Sequence, residues 1–271
     1  MGVFARALAK HEPLRLLYAL LCFLPVIPST LLLSALGSLR GMMLVWRLFA
    51  AALGLRCVVL GTPPRVGTPC VWVSNHFNWF DVPVLQGAAG GARCPLHAVV
   101  KADLADESSL VGRVLHTWSK NLGFIFYTRG DKKSGATVRS KIAGFGGAIL
   151  VFIEGTAQAY GPPMLDKIRG GSFEAAFDSG KLVQPAVIYY NARIGLGWKE
   201  DGERNGLKQT ARICAKPTIA VVQLCPPLAP GDFASAEALG ERVKQVMTDT
   251  YAQLERQYKD WPALQGAAGA K

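Results

Sequence analysis

The chain has 271 residues, of which 50% are hydrophobic and only 18% charged, yet its lysines and arginines give it a net charge of +11. That length fits one large domain, or one domain and an appendage. Such an apolar, basic chain points to an anionic partner; because no basic block alternates with aromatic residues, nucleic acid is excluded and a membrane surface is expected.

The greasiest stretch comes first. Leu14–Leu24 reads LRLLYALLCFL and Ser29–Leu36 reads STLLLSAL, with Pro25 and Pro28 between them. Two prolines predict a broken helix, because each removes an N–H and crowds the preceding turn. Neither half alone spans a hydrocarbon core of about 30 Å at about 1.5 Å per residue. Arg6, Lys10 and Arg15 precede the stretch, while Arg40, Arg47 and Arg56 follow it. Basic residues on both flanks favour a helical hairpin dipping into one leaflet over a simple crossing or a cleaved signal peptide. Gly41–Leu55 continues as an amphipathic helix with Arg47 at the interface.

From Arg56 the texture changes to short apolar runs alternating with helical patterns. Cys57–Leu60, Cys70–Ser74, Leu96–Val100, Gly123–Tyr127, Ala148–Ile153, Val183–Tyr189 and Ile219–Leu224 read as buried strands. Asp81–Gln86, Ser109–Lys120, Ser134–Phe145 and Ser172–Ser179 read as helices. Ala234–Tyr258 is a closing helix with Leu239, Val243, Val246, Thr250 and Leu254 along one face. The fold class expected is α/β, a mixed and mostly parallel central sheet flanked by helices. The organisation expected is a membrane-associating segment over 1–55, the α/β domain over 56–262 and a disordered Gly/Ala-rich tail over 263–271. The six cysteines (Cys22, Cys57, Cys70, Cys94, Cys214, Cys225) are scattered, with no CxxC pair and no His at a metal-ligand spacing. Buried reduced thiols are expected, with no disulfide framework and no metal.

Chemistry gathers where the strand runs end. Asn75-His76-Phe77-Asn78-Trp79-Phe80-Asp81 places an imidazole and a carboxylate five positions apart. On a straight helix they would sit about 140° apart, so they pair only if the chain turns between them. If it does, Asp81 fixes the tautomer of a general base. Taken alone, His76 reads more readily as a hydrogen-bonded structural residue than as a catalyst. Arg129 follows the run Gly123–Tyr127 and offers a guanidinium fork for phosphate, with Lys101 as a second positive charge in the same cleft. Glu154-Gly155-Thr156 forms a polar crevice at another strand end, where ligands of open α/β sheets sit.

In chain order, His76-x4-Asp81, Gly123-x5-Arg129, Phe152-Ile153-Glu154-Gly155-Thr156 and Pro185 resemble the motif blocks of the glycerolipid acyltransferase family (PlsC-like), whose members include 1-acylglycerol-3-phosphate and other lysophospholipid acyltransferases. The resemblance covers about residues 56–226, and Lys101, Arg169–Phe173 and Pro226-Pro227 also look like family features. It implies that His76 is the general base and Asp81 its orienting acid. Acyl transfer would be direct from an acyl-CoA or acyl carrier protein thioester to a lysophospholipid hydroxyl, with no other cofactor. The substrate-binding set expected is Asn75, Lys101, Gly123, Arg129, Glu154, Gly155 and Thr156, in a membrane protein whose catalytic domain faces the cytoplasm. Two departures matter: Ile153 stands where the family usually has Pro, and Ala157-Gln158 where Arg or Ser is common. The acceptor is therefore open between 1-acylglycerol-3-phosphate, the first choice, and choline-, ethanolamine-, glycerol- or ornithine-linked lysolipids. The alternative from another class is a non-catalytic lipid-binding protein of the same fold. Oligomeric state is left open.

Overall fold

All seven apolar runs become strands of a single sheet. The computed structural model describes residues 11–36, 38–78, 80–90, 94–102, 110–121, 123–128, 130–155, 168–191, 210–211, 213 and 218–260. Within them lie β1 (Leu55–Leu60), β2 (Cys70–Ser74), β3 (Leu96–Lys101), β4 (Ile125–Tyr127), β5 (Ala148–Phe152), β6 (Leu182–Tyr190) and β7 (Thr218–Leu224). Their order across the sheet is β1-β7-β6-β2-β5-β3-β4. Every neighbouring pair is parallel except β6 and β7. The mixed, mostly parallel architecture expected from the sequence is the one found.

The central strands are apolar along their whole length because helices cover both faces of the sheet. Every residue of β2 is buried, and Trp72 is flanked in register by Leu150 of β5 and Gln184 of β6. Pro185 sits inside β6, a central strand, where it can donate nothing to the ladder. The β6–β7 ladder begins only at Ala186, and Gln184 Nε2 reaches the carbonyl of Cys225 at 2.6 Å. A side-chain amide thus serves the acceptor that a backbone N–H would have met. Burial pushes the Cys70 thiol up to about 11, so it stays a neutral core residue at physiological pH.

The helices are α1 (Glu12–Ala35), α2 (Leu39–Ala52), α3 (Asp81–Ala88), α4 (Leu110–Asn121), α5 (Lys132–Gly144), α6 (Gly171–Ser179) and α7 (Ala236–Tyr258). The break expected at Pro25 and Pro28 is absent: α1 runs through both prolines. Each interior proline costs about 3 kcal/mol. The carbonyls that lose a donor belong to Leu21 and Leu24, both on exposed residues. The chain reverses instead after Ala35, and Ser38 caps α2 by accepting the N–H of Gly41 at 3.2 Å. Gly41 has no side chain because a Cβ there would lie 2.7 Å from Leu33. At the far end Tyr18 donates to the carbonyl of Ala52 at 2.7 Å, so α1 and α2 form an antiparallel hairpin. A hairpin was expected, but its turn lies after the greasy stretch and not within it.

Two smaller corrections follow from helix geometry. Helix α5 starts at Lys132, not Ser134, because the Asp131 carboxylate accepts the N–H of Lys133 at 2.9 Å and caps it. The buried stripe of α7 runs Leu239, Val243, Met247, Tyr251, Leu254 and Tyr258; Val246 and Thr250 flank it. The i+4 and i+3 steps of a 3.6-residue period select the former set. The expected tail over 263–271 lies outside the described residues.

Candidate active site

The loop after β2 folds around one carboxylate. Asp81 opens α3 and is fully buried. Its Oδ2 accepts the backbone N–H of Phe77 at 2.6 Å and of Asn78 at 2.9 Å. These bonds make the turn that lets residues 76 and 81 meet, which a straight helix would forbid. The same oxygen lies 2.8 Å from Nδ1 of His76. Oδ1 accepts the hydroxyl of Tyr190, at the end of β6, at 2.7 Å. A buried charge with four donors at a helix N-terminus is fully compensated.

His76 is held on every side but one. Its backbone N–H donates to Oε2 of Glu154 at 2.9 Å, and its ring stacks on Phe152 with centroids 3.9 Å apart. With Nδ1 committed to Asp81, the neutral imidazole carries its proton there and leaves Nε2 as the basic nitrogen. Nε2 has no partner among the described residues, and the side chain is 21% exposed. A fixed imidazole with one open basic nitrogen, backed by a buried carboxylate, can take a proton from a bound hydroxyl group.

Tyr190 escaped the sequence reading, which ended the strand at Tyr189. The only signal was a Tyr-Tyr pair closing an apolar run. Burial, then the negative charge of Asp81, pushes the phenol well above its ordinary pKa, so it stays a neutral donor. Removing that donor in Tyr190→Phe leaves Oδ1 of the buried Asp81 without its partner, and a loss of about 1–3 kcal/mol of stability is expected in a denaturant melt. An unchanged melt would assign Tyr190 to packing alone.

Parallel strands bring the other blocks to the same sheet edge. Glu154 and Gly155 follow β5, adjacent to β2, and Lys101 ends β3 on the far side of β5. The Tyr127 hydroxyl, at the end of β4, donates to the carbonyl of Gly155 at 3.3 Å. Gly155 has φ +67° and lies under Arg169, whose Nε would be 3.0 Å from any Cβ at that position. Arg129 and Thr156 lie outside the described residues.

Two expected binding residues have other roles. Asn75 is fully buried, with Nδ2 on the carbonyl of Ile188 and Oδ1 on its N–H, both at 2.8 Å. It extends the β2–β6 ladder as a strut and presents nothing to a substrate. Gly123 precedes β4 and therefore stands at the amino ends of the parallel strands, opposite His76. It has φ +65°, and a Cβ there would lie 2.7 Å from the His97 ring. Backbone geometry fixes that glycine, not ligand contact. Among the described residues no group of three His, Cys, Asp or Glu could hold a metal ion.

Residues 58–189, which span the His76–Asp81 loop and the Glu154 crevice, match the model of the Acyltransferase family. Over those residues the chain is similar to that family. It is 31% identical over 144 residues to a lyso-ornithine lipid O-acyltransferase of Pseudomonas aeruginosa, covering 52% of this chain. That match spans 50% of the relative's own length. The crystal structure of the 1-acyl-sn-glycerophosphate (LPA) acyltransferase PlsC from Thermotoga maritima superposes with a TM-score of 0.62 and 19% identity, over 90% of this chain and 96% of that one. At that identity the likeness establishes the fold of the acyltransferase domain and nothing finer.

Proposed function

We propose that this protein is a membrane-associated lysolipid O-acyltransferase in which His76 is the general base. The observation that carries the reading is the open Nε2 of His76 above a buried, fully hydrogen-bonded Asp81. Nε2 takes the proton as the acceptor hydroxyl attacks the thioester carbonyl. Asp81 stabilises the imidazolium so formed. The tetrahedral adduct then expels the thiolate, which recovers the proton from His76, so an ester forms, a thioester breaks and a free thiol leaves. The donor is an acyl-CoA or acyl carrier protein thioester, and no covalent acyl-enzyme is required.

For the acceptor we favour an ornithine-linked lysolipid over 1-acylglycerol-3-phosphate. The 31% identity to a lyso-ornithine lipid O-acyltransferase supports that order. So does Ala157, which withholds a cation common in that block of the family. Membrane access is supplied by the N-terminal hairpin. Within α1 the stretch Pro13–Thr30 is long and apolar enough to cross a bilayer, and Leu14, Leu17, Leu20, Leu21 and Leu24 are exposed. We place the hairpin in one leaflet, with the catalytic domain on the cytoplasmic side.

Thiol release by the full chain from an acyl-CoA or acyl carrier protein, against a panel of lysolipids, tests the reading. Acceptor-dependent release is expected, fastest with the ornithine-linked lysolipid. Binding of lysolipid with no thiol release from either donor would instead make the protein a lipid binder.

A further inference from the structure

The end of β5 holds the His76 loop through three consecutive residues, each at a different point. Ile153 donates its N–H to the carbonyl of Ser74 at 3.2 Å, and Glu154 Oε2 accepts the N–H of His76 at 2.9 Å. Of the three, Phe152 meets the imidazole ring itself. Ser74 and Phe152 are partners in the β2–β5 register, which puts His76, two residues past Ser74, on the side of the sheet that Phe152 faces. The rings lie 3.9 Å apart between centroids and 17° from parallel, with Phe152 buried beneath the imidazole. This contact differs in strength between the two charge states of His76. Under a neutral imidazole Phe152 offers dispersion and a flat support. Under an imidazolium its negative face meets a positive ring, which adds an electrostatic attraction. Asp81 meets the same cation in the ring plane, at Nδ1, so the carboxylate and the π face act from perpendicular directions. A contact that strengthens as the proton arrives favours the transition state over the ground state and so raises the rate.

We infer that Phe152 is a positioning residue whose π face stabilises the imidazolium of His76 during acyl transfer, besides fixing the plane of the ring. The inference rests on the general-base reading of His76 and adds a second source of charge stabilisation to Asp81. The proton itself follows the same course, from the acceptor hydroxyl to Nε2 and from there to the departing thiolate.

The test replaces Phe152 in the full chain by mono-, tri- and pentafluorophenylalanine. Fluorine is close to hydrogen in size, so packing is kept while the negative face of the ring is progressively withdrawn. Thiol release is followed with the most active donor and lysolipid of the panel. The expected result is a kcat that falls with each step of fluorination, by about 5–30-fold at the pentafluoro end. Thermal melts and the KM values for both substrates should stay near wild type. A flat series in folded protein overturns the inference, because a purely structural support would tolerate every member. An effect confined to KM overturns it as well, since Phe152 would then touch a substrate. The same series in His76→Ala separates this inference from the base assignment. There the residual rate should be indifferent to fluorination. A series that persists without His76 would show that Phe152 acts on another group, leaving the base in place and removing the inference. A His76→Ala variant that keeps the wild-type rate would instead remove the base, and the inference with it.

Discussion

Replacing His76 by Ala should reduce acyl transfer by about 10²–10⁴-fold, the range supplied by a positioned general base, while the protein still folds. The structure explains why rate and stability separate here. The loop is closed by Asp81, which keeps the N–H groups of Phe77 and Asn78 and the hydroxyl of Tyr190 when the imidazole is gone. The backbone N–H of residue 76 still reaches Glu154. What is lost is the stacking on Phe152 and one bond to Asp81, together about 1–2 kcal/mol. Thiol release with every active lysolipid, set beside a thermal melt, checks both halves. A folded His76→Ala variant with near wild-type release would disprove the base assignment.

The strands were legible because a parallel sheet buries both faces, and uninterrupted β-branched runs are hard to read otherwise. Cys70–Ser74 was placed to the residue. What the sequence could not show was where a side chain points once the sheet forms. Asn75 and His76 are neighbours in one motif, but the end of β2 turns the amide inward onto Ile188 and leaves the imidazole at the crevice. Gly123 comes before β4 in the chain and so stands at the amino ends of the parallel strands, away from His76. Tyr190 is remote from His76 in sequence and reaches Asp81 only because β6 neighbours β2. Pro25 and Pro28 misled for a different reason: local propensity argued for a break, and packing of α1 on α2 overrides it.

Ile153, a departure from the family pattern, also has a physical role that the sequence hides. Its N–H donates to the carbonyl of Ser74 at 3.2 Å, and its carbonyl accepts the N–H of Arg169. A proline at 153 would forfeit the first of these bonds. Ile153 therefore ties the end of β2 to the crevice and to Arg169 through one buried residue. The departure strengthens the scaffold of the site and says nothing against catalysis.

Asp81→Asn should be nearly as damaging to rate as removing His76, because the orienting group loses its charge. The amide can keep the fold in one orientation only. Its oxygen must face the N–H groups of Phe77 and Asn78 and the Nδ1 proton, which turns its NH₂ toward the Tyr190 hydroxyl, now an acceptor. The reverse orientation sets NH₂ against two backbone donors. Losing charge-assisted bonds costs about 1–3 kcal/mol of stability, partly offset because a buried charge is no longer required. The rate cost is larger, about 10³–10⁴-fold, since the imidazolium that forms during attack has no counter-charge. A melt of Asp81→Asn set beside its rate of thiol release separates the two costs, because the fold should survive while turnover falls. A folded Asp81→Asn variant with near wild-type release would overturn the orienting role of Asp81.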